Sequence, residues 1–102
     1  MRYRLTASAR QDLDEIFTYW EERASVEVAD RLIDSIIDYL WVLGQFSKAG
    51  KPATETPGNL RRLSAGQYLV YYRISRRTID IIHIFHGARS QERALRGRKK
   101  TT

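Results

Sequence analysis

The stretch Tyr68-Leu-Val-Tyr-Tyr-Arg73, continuing through Ile-Ser-Arg-Arg-Thr to Ile79-Asp-Ile-Ile-His-Ile-Phe-His-Gly-Ala-Arg89, decides the fold. Two runs rich in β-branched and aromatic residues flank a short polar turn, which predicts a well-buried β-hairpin. In the second run both alternating sets are apolar, with Ile82 and Ile84 on one face and Ile79, Ile81 and Phe85 on the other. A strand apolar on both faces is expected to be central and covered on both sides. The run ends in an exposed His86-Gly-Ala-Arg89.

Upstream of the hairpin the period changes from two to 3.6. Arg2 to Leu5 reads as a short edge strand. Thr6 or Ser8 can then cap a helix, with Gln11 three residues after Ser8 completing a capping box. Ala9, Leu13, Ile16, Phe17 and Trp20 form one apolar stripe running to about Arg23. Ser25 is the next N-cap, and Ala29, Leu32, Ile33, Ile36, Ile37, Leu40 and Leu43 form a broader stripe. Glu27, Asp30, Arg31, Asp34 and Asp38 lie opposite it, and Gly44 stands where a C-cap is expected. Trp20 and Trp41 continue these stripes as packing residues. The break between the helices is short, so they should form an antiparallel hairpin.

Gln45 to Asn59 holds both prolines, Lys48 and Lys51, and reads as a long loop of the kind that is often functional. Leu60-Arg-Arg-Leu63 is a short strand, and Ala65-Gly66 a turn into the long hairpin. The order is β-α-α-β-β-β, an α+β fold with the helical hairpin on one face of an antiparallel sheet. Residues 1–92 should make one domain and residues 93–102 a basic, frayed tail. The helices cover one face only, so the other must be closed by the tail, by a second copy or by a partner chain, and a partner chain is the favoured expectation.

The chain of 102 residues has room for one core and contains no cysteine, which excludes disulfides and thiolate metal sites. No apolar run reaches the roughly 20 residues of a membrane span. The first residues lack a signal-peptide core, so the expected address is the cytoplasm. The net charge of +6 is divided unevenly, with −4 on residues 1–44 and +10 on residues 45–102. A basic sheet half points to an anionic partner.

These features together resemble the ParE/RelE family, the toxin halves of bacterial type II toxin–antitoxin pairs. The matching pieces are Tyr3-Arg-Leu-Thr-Ala-Ser-Ala-Arg-Gln-Asp-Leu13 with Ile16 and Tyr19-Trp20, then Val28-Ala-Asp-Arg-Leu-Ile and Gly58-Asn-Leu-Arg-Arg-Leu63. Tyr68-Leu-Val-Tyr-Tyr-Arg73 and Ile81-Ile-His-Ile-Phe-His-Gly-Ala-Arg89 complete them, so the resemblance spans roughly residues 3 to 92. The closing His86-x-x-Arg89 is similar to the ParE branch. The resemblance implies a small α+β toxin held inactive by a cognate antitoxin. ParE-type toxins poison DNA gyrase, whereas RelE-type toxins cut messenger RNA on the ribosome.

Chemistry separates these two branches. Cleavage by a neighbouring 2′-hydroxyl needs a base, an acid and cations around the phosphorane. Arg61, Arg73 and Arg89 could hold the phosphate, with His86 as the titrating group. Alternation places His83 and His86 on opposite sheet faces, so they make a poor catalytic pair and a poor metal site. Glu55 is a further candidate carboxylate base. The resemblance to RelE-type toxins would lead one to expect a tyrosine near the C-terminus, and no aromatic residue follows Arg89. The leading expectation is therefore a gyrase inhibitor without catalytic groups or cofactor. Its target-binding candidates are Arg61, Arg62, Arg73, His86, Arg89, Arg93 and Arg96, and Ile79, Ile81 and Phe85 are the candidates for holding an antitoxin segment. A ribosome-dependent mRNA endonuclease and a non-toxic nucleic-acid-binding module are the alternatives. The latter predicts steeply salt-dependent DNA binding, but no helix carries a basic face.

Overall fold

The computed structural model describes residues 1–54 and 56–87. The chain runs β1 (Arg2–Leu5), α1 (Ala7–Arg23), α2 (Val26–Gln45), β2 (Lys51–Pro52), β3 (Arg61–Ala65), β4 (Tyr68–Ile74) and β5 (Thr78–His86). The expected β-α-α-β-β-β order stands, with the two-residue β2 added where a loop was expected. The expected tail, residues 93–102, lies outside the described residues.

Both helix starts follow from hydroxyl caps. The Thr6 side chain accepts from the Ala9 N–H, and the Ser25 side chain accepts from the Val28 N–H, each relieving an orphan donor of the first turn. Thr6 rather than Ser8 is thus the first cap, and Gln11 turns to Glu15 one turn on. Only Ala24 and Ser25 separate the helices, so they fold back on one another as a hairpin. α2 runs one residue past Gly44, which is not its cap. The Met1 ammonium donates to the Gly44 carbonyl at 2.8 Å, and a Cβ on Gly44 would lie 2.8 Å from the Met1 oxygen. That close approach is why a glycine sits in the last turn. Among the described residues no helix is long and apolar enough to cross a membrane.

The five strands lie in the order β1-β5-β4-β3-β2. β1 joins β5 in parallel, from Arg2 opposite Thr78 to Leu5 opposite Ile81, and the remaining pairs are antiparallel. The sheet is therefore mixed, with β5 central over its first half. The two helices pack on one face, burying Ala9, Leu13, Ile16, Ile36, Leu40 and Leu43 against Val70, Tyr72, Ile79, Ile81 and Ile84.

Strict alternation along β5 does not hold. Tyr72 opposes Ile81 and Tyr71 opposes His83, so Ile82 is one residue extra on β5, a β-bulge. The bulge reverses the parity downstream of it. Ile79 and Ile81 before it and Ile84 after it all enter the helix-covered core, at 0%, 0% and 1% exposure. The expectation that Ile79 and Ile81 present an antitoxin-binding face is thereby corrected, because both are sealed beneath the helices. Phe85 alone of that trio lies on the opposite face, where it stacks on His83 at 4.8 Å and tilts against Tyr71 at 6.0 Å. Trp41 is also corrected. It is 63% exposed, as Phe46 is at 68%, so the second helical stripe does not extend to either.

Candidate binding surfaces at the two ends of the sheet

Strand register sorts the charged side chains by sheet end. At the end of the β4–β5 turn stand Arg73, Arg76 and Arg77, with Arg2 and Arg4 beside them on β1, and all five are exposed. Asp80 sits in register between Arg73 and Arg4. It accepts from the Thr78 hydroxyl and pairs with the Arg4 guanidinium at 3.3 Å. At the opposite end, by the β3–β4 turn and the exit of β5, the neighbouring charges are the carboxylates of Asp12 and Glu15 on α1. β5 is nine residues long, so the two ends lie about 26 Å apart.

The arginines singled out in the sequence are not equivalent. Arg61 works within the fold. Its Nη2 donates to the Gly50 carbonyl at 2.6 Å and to the Lys48 carbonyl at 3.3 Å, while its Nε is buried without a partner. Arg73 donates from Nε to the Gly58 carbonyl at 3.2 Å, holding the other limb of the same loop. Arg62 is half-buried opposite Lys51 and Tyr71. The buried Tyr72 completes the staple, its hydroxyl donating to the Ser47 carbonyl and accepting from the Gly50 N–H. A Cβ on Gly50 would meet both the Arg62 oxygen and the Tyr72 hydroxyl at 2.7 Å, so only glycine fits there. The long loop expected to carry function is thus pinned along its length by Tyr72, Arg61 and Arg73. Arg89, Arg93, Arg96 and Glu55 lie outside the described residues.

His83 and His86 face opposite ways. His83 Nδ1 meets Asp12 Oδ2 at 3.1 Å, and the Ile84 N–H donates to the same oxygen at 2.9 Å. This closes the part of β5 that β1 leaves without a strand neighbour, since β1 pairs only as far as Ile81. Thr6 does the same one step earlier, its hydroxyl donating to the Ile81 and Ile82 carbonyls. Side chains of the first helix and its cap thus take the hydrogen-bonding groups of an exposed strand edge, a common protection against unwanted pairing.

His86 stands edge-on to Tyr68, ring centroids 5.4 Å apart, and borders a cleft of about 320 Å³ between α1 and the β4–β5 ladder. Its walls include Trp20 and Tyr68, and its rim carries Asp12 and Glu15. The Trp20 indole donates to the Tyr68 hydroxyl at 2.7 Å, fixing both rings. Sequence reading missed this cleft. The spacing of Asp12, Glu15 and Tyr19 on one helical face was visible, but the strand end they meet is dozens of residues away.

Comparison with known proteins bears on the whole assembly. The model of the ParE toxin of type II toxin–antitoxin systems matches residues 3–91. Toxin ParE1 of Caulobacter vibrioides is 32% identical over 84 residues, which is 82% of this chain and 86% of that protein. Toxin ParE1 of Mycobacterium tuberculosis is 26% identical over 95 residues, 92% of this chain and 97% of that one. Two solved structures share the fold. The chromosomal ParDE system from P. aeruginosa superposes with a TM-score of 0.75 at 24% identity, covering 84% of this chain and 95% of that one. The RelBE2 toxin–antitoxin complex of Mycobacterium tuberculosis gives 0.66 at 21% identity, covering 83% and 95%. With the helical hairpin, the bulged central strand and a match running through nearly every described residue, the chain belongs to the ParE toxin family of type II toxin–antitoxin systems.

Proposed function

We propose that this chain inhibits growth in the cytoplasm by binding and poisoning DNA gyrase, and that a cognate antitoxin neutralises it. The observation that carries the reading is the family match over residues 3–91. The geometry supports binding over catalysis. Arg61 and Arg73 are occupied by backbone carbonyls of the loop, and the two histidines are on opposite faces with separate partners. The exposed basic end of the sheet, Arg73 with Arg76 and Arg77, is the proposed target surface, while His86 at the opposite end, Arg62 and, outside the described residues, Arg89, Arg93 and Arg96 remain separate candidates for target contact. Phe85 with His83 and Tyr71 offers an antitoxin segment an aromatic ladder on the face away from the helices. The match of fold to solved toxin–antitoxin complexes supports that partner.

The test is supercoiling of relaxed plasmid by purified gyrase with increasing amounts of the protein. Loss of supercoiling with accumulation of linear DNA, reversed by the antitoxin, is expected. Unimpaired gyrase in the presence of folded, toxic protein would overturn the reading and turn the search to ribosome-bound messenger RNA.

A further inference from the structure

We propose that the acidic cleft between α1 and the β4–β5 ladder is a docking site for the chain's own segment 88–102, and that it takes an arginine guanidinium. This stands apart from the identity of the toxin's target. The cleft suits a cation that is planar and partly apolar. Asp12 and Glu15, three residues apart on α1, place two carboxylates on one rim. Both hydrogen bonds to Asp12 fall on Oδ2, so Oδ1 keeps its lone pairs for a further donor. The walls of Trp20 and Tyr68 give a guanidinium an aromatic surface beside those carboxylates, the combination that favours arginine over lysine.

The occupant is indicated by charge and by where the chain leaves the sheet. His86 lines the cleft, and the Gly87 N–H donates to the Gln67 carbonyl at 2.9 Å, fixing the exit at its border. The residues that follow carry Arg89, Arg93, Arg96, Arg98, Lys99 and Lys100 against the single acid Glu92. Gly87, the described residue that precedes them, lies at the acidic end of the sheet. A single exposed ion pair contributes only about 0–1 kcal/mol. A segment tethered within a few residues of its site, however, meets it at a millimolar effective concentration, so modest contacts suffice.

Trp20 is a built-in reporter, because the chain has two tryptophans and the other, Trp41, is largely exposed. In the full-length Trp41→Phe protein, quenching of Trp20 fluorescence by acrylamide is measured at low salt. The expected result is a several-fold rise in quenching rate when Arg89, Arg93 and Arg96 are together replaced by Gln, and a similar rise for the unaltered segment in about 0.5 M salt, where charges are screened within a few ångströms. Glu15→Lys should raise quenching as well, and Glu15→Lys with Arg93→Glu should return it towards the starting value. Quenching indifferent to all of these, in proteins with unchanged thermal unfolding, would overturn the proposal. Protection that grows with protein concentration would also overturn it, by assigning the segment to a second copy of the chain.

Discussion

At the scale of single residues, the most consequential side chain is Tyr72, whose ring is wholly buried while its hydroxyl holds two backbone groups of the 46–60 loop. Tyr72→Phe keeps the ring but leaves the Gly50 N–H and the Ser47 carbonyl without it. We expect a loss of about 1–3 kcal/mol, read as a lower urea midpoint at unchanged m-value. Asp12 is the other pivot. Asp12→Ala removes the acceptor for the Ile84 N–H and uncovers the strand edge, so it should cost about 1–3 kcal/mol and increase aggregation as followed by light scattering. Neither role was legible in the sequence. Tyr72 could be recognised as an aromatic of a buried strand, and Asp12 as part of a helix, from local pattern alone. Their partners lie 25 and 72 residues away, and only the fold brings them together.

At the scale of elements, periodicity was a sound guide to the helices and their two caps, because helical spacing and capping are local chemistry. It failed in two places. The first is β5, where one inserted residue reverses the parity that a period of two assumes, so Ile84 joins Ile79 and Ile81 instead of opposing them. Ile84→Ala should therefore cost about 2–5 kcal/mol, and Ile82→Ala, half-exposed at the bulge, clearly less, by denaturant unfolding of the two variants in parallel. The second is the end of α2. Trp41 continues a pattern in the sequence, yet it stands exposed between the fully buried Leu40 and Leu43, and hydrophobicity alone does not reveal which side chains at the margin of a stripe are covered. Trp41→Gln should change stability by no more than about 0.5 kcal/mol, against about 2–5 for Leu40→Ala one position away.

At the scale of the whole molecule, the division of charge between the two halves of the chain was visible from composition, whereas its direction in space was not. Among the described residues, strand register gathers five exposed arginines at one end of the sheet and leaves two carboxylates at the other. If the basic end meets gyrase, Arg76→Glu with Arg77→Glu should strongly weaken inhibition of supercoiling while leaving the circular dichroism spectrum that of the parent. Retained inhibition by that double variant would place the target surface elsewhere. The position of β5 has a different consequence, one of timing. It is the strand that joins β1 to β4, and it is synthesised after every other described element. Thr6 must wait for Ile81, 75 residues later, to find its acceptor. At about 5–20 residues per second, the nascent chain spends several seconds without the strand that completes its core. A ribosome that stalls before residue 78 yields a fragment whose helices have only part of a sheet to cover, so the toxin core closes in one late step, when β5 arrives.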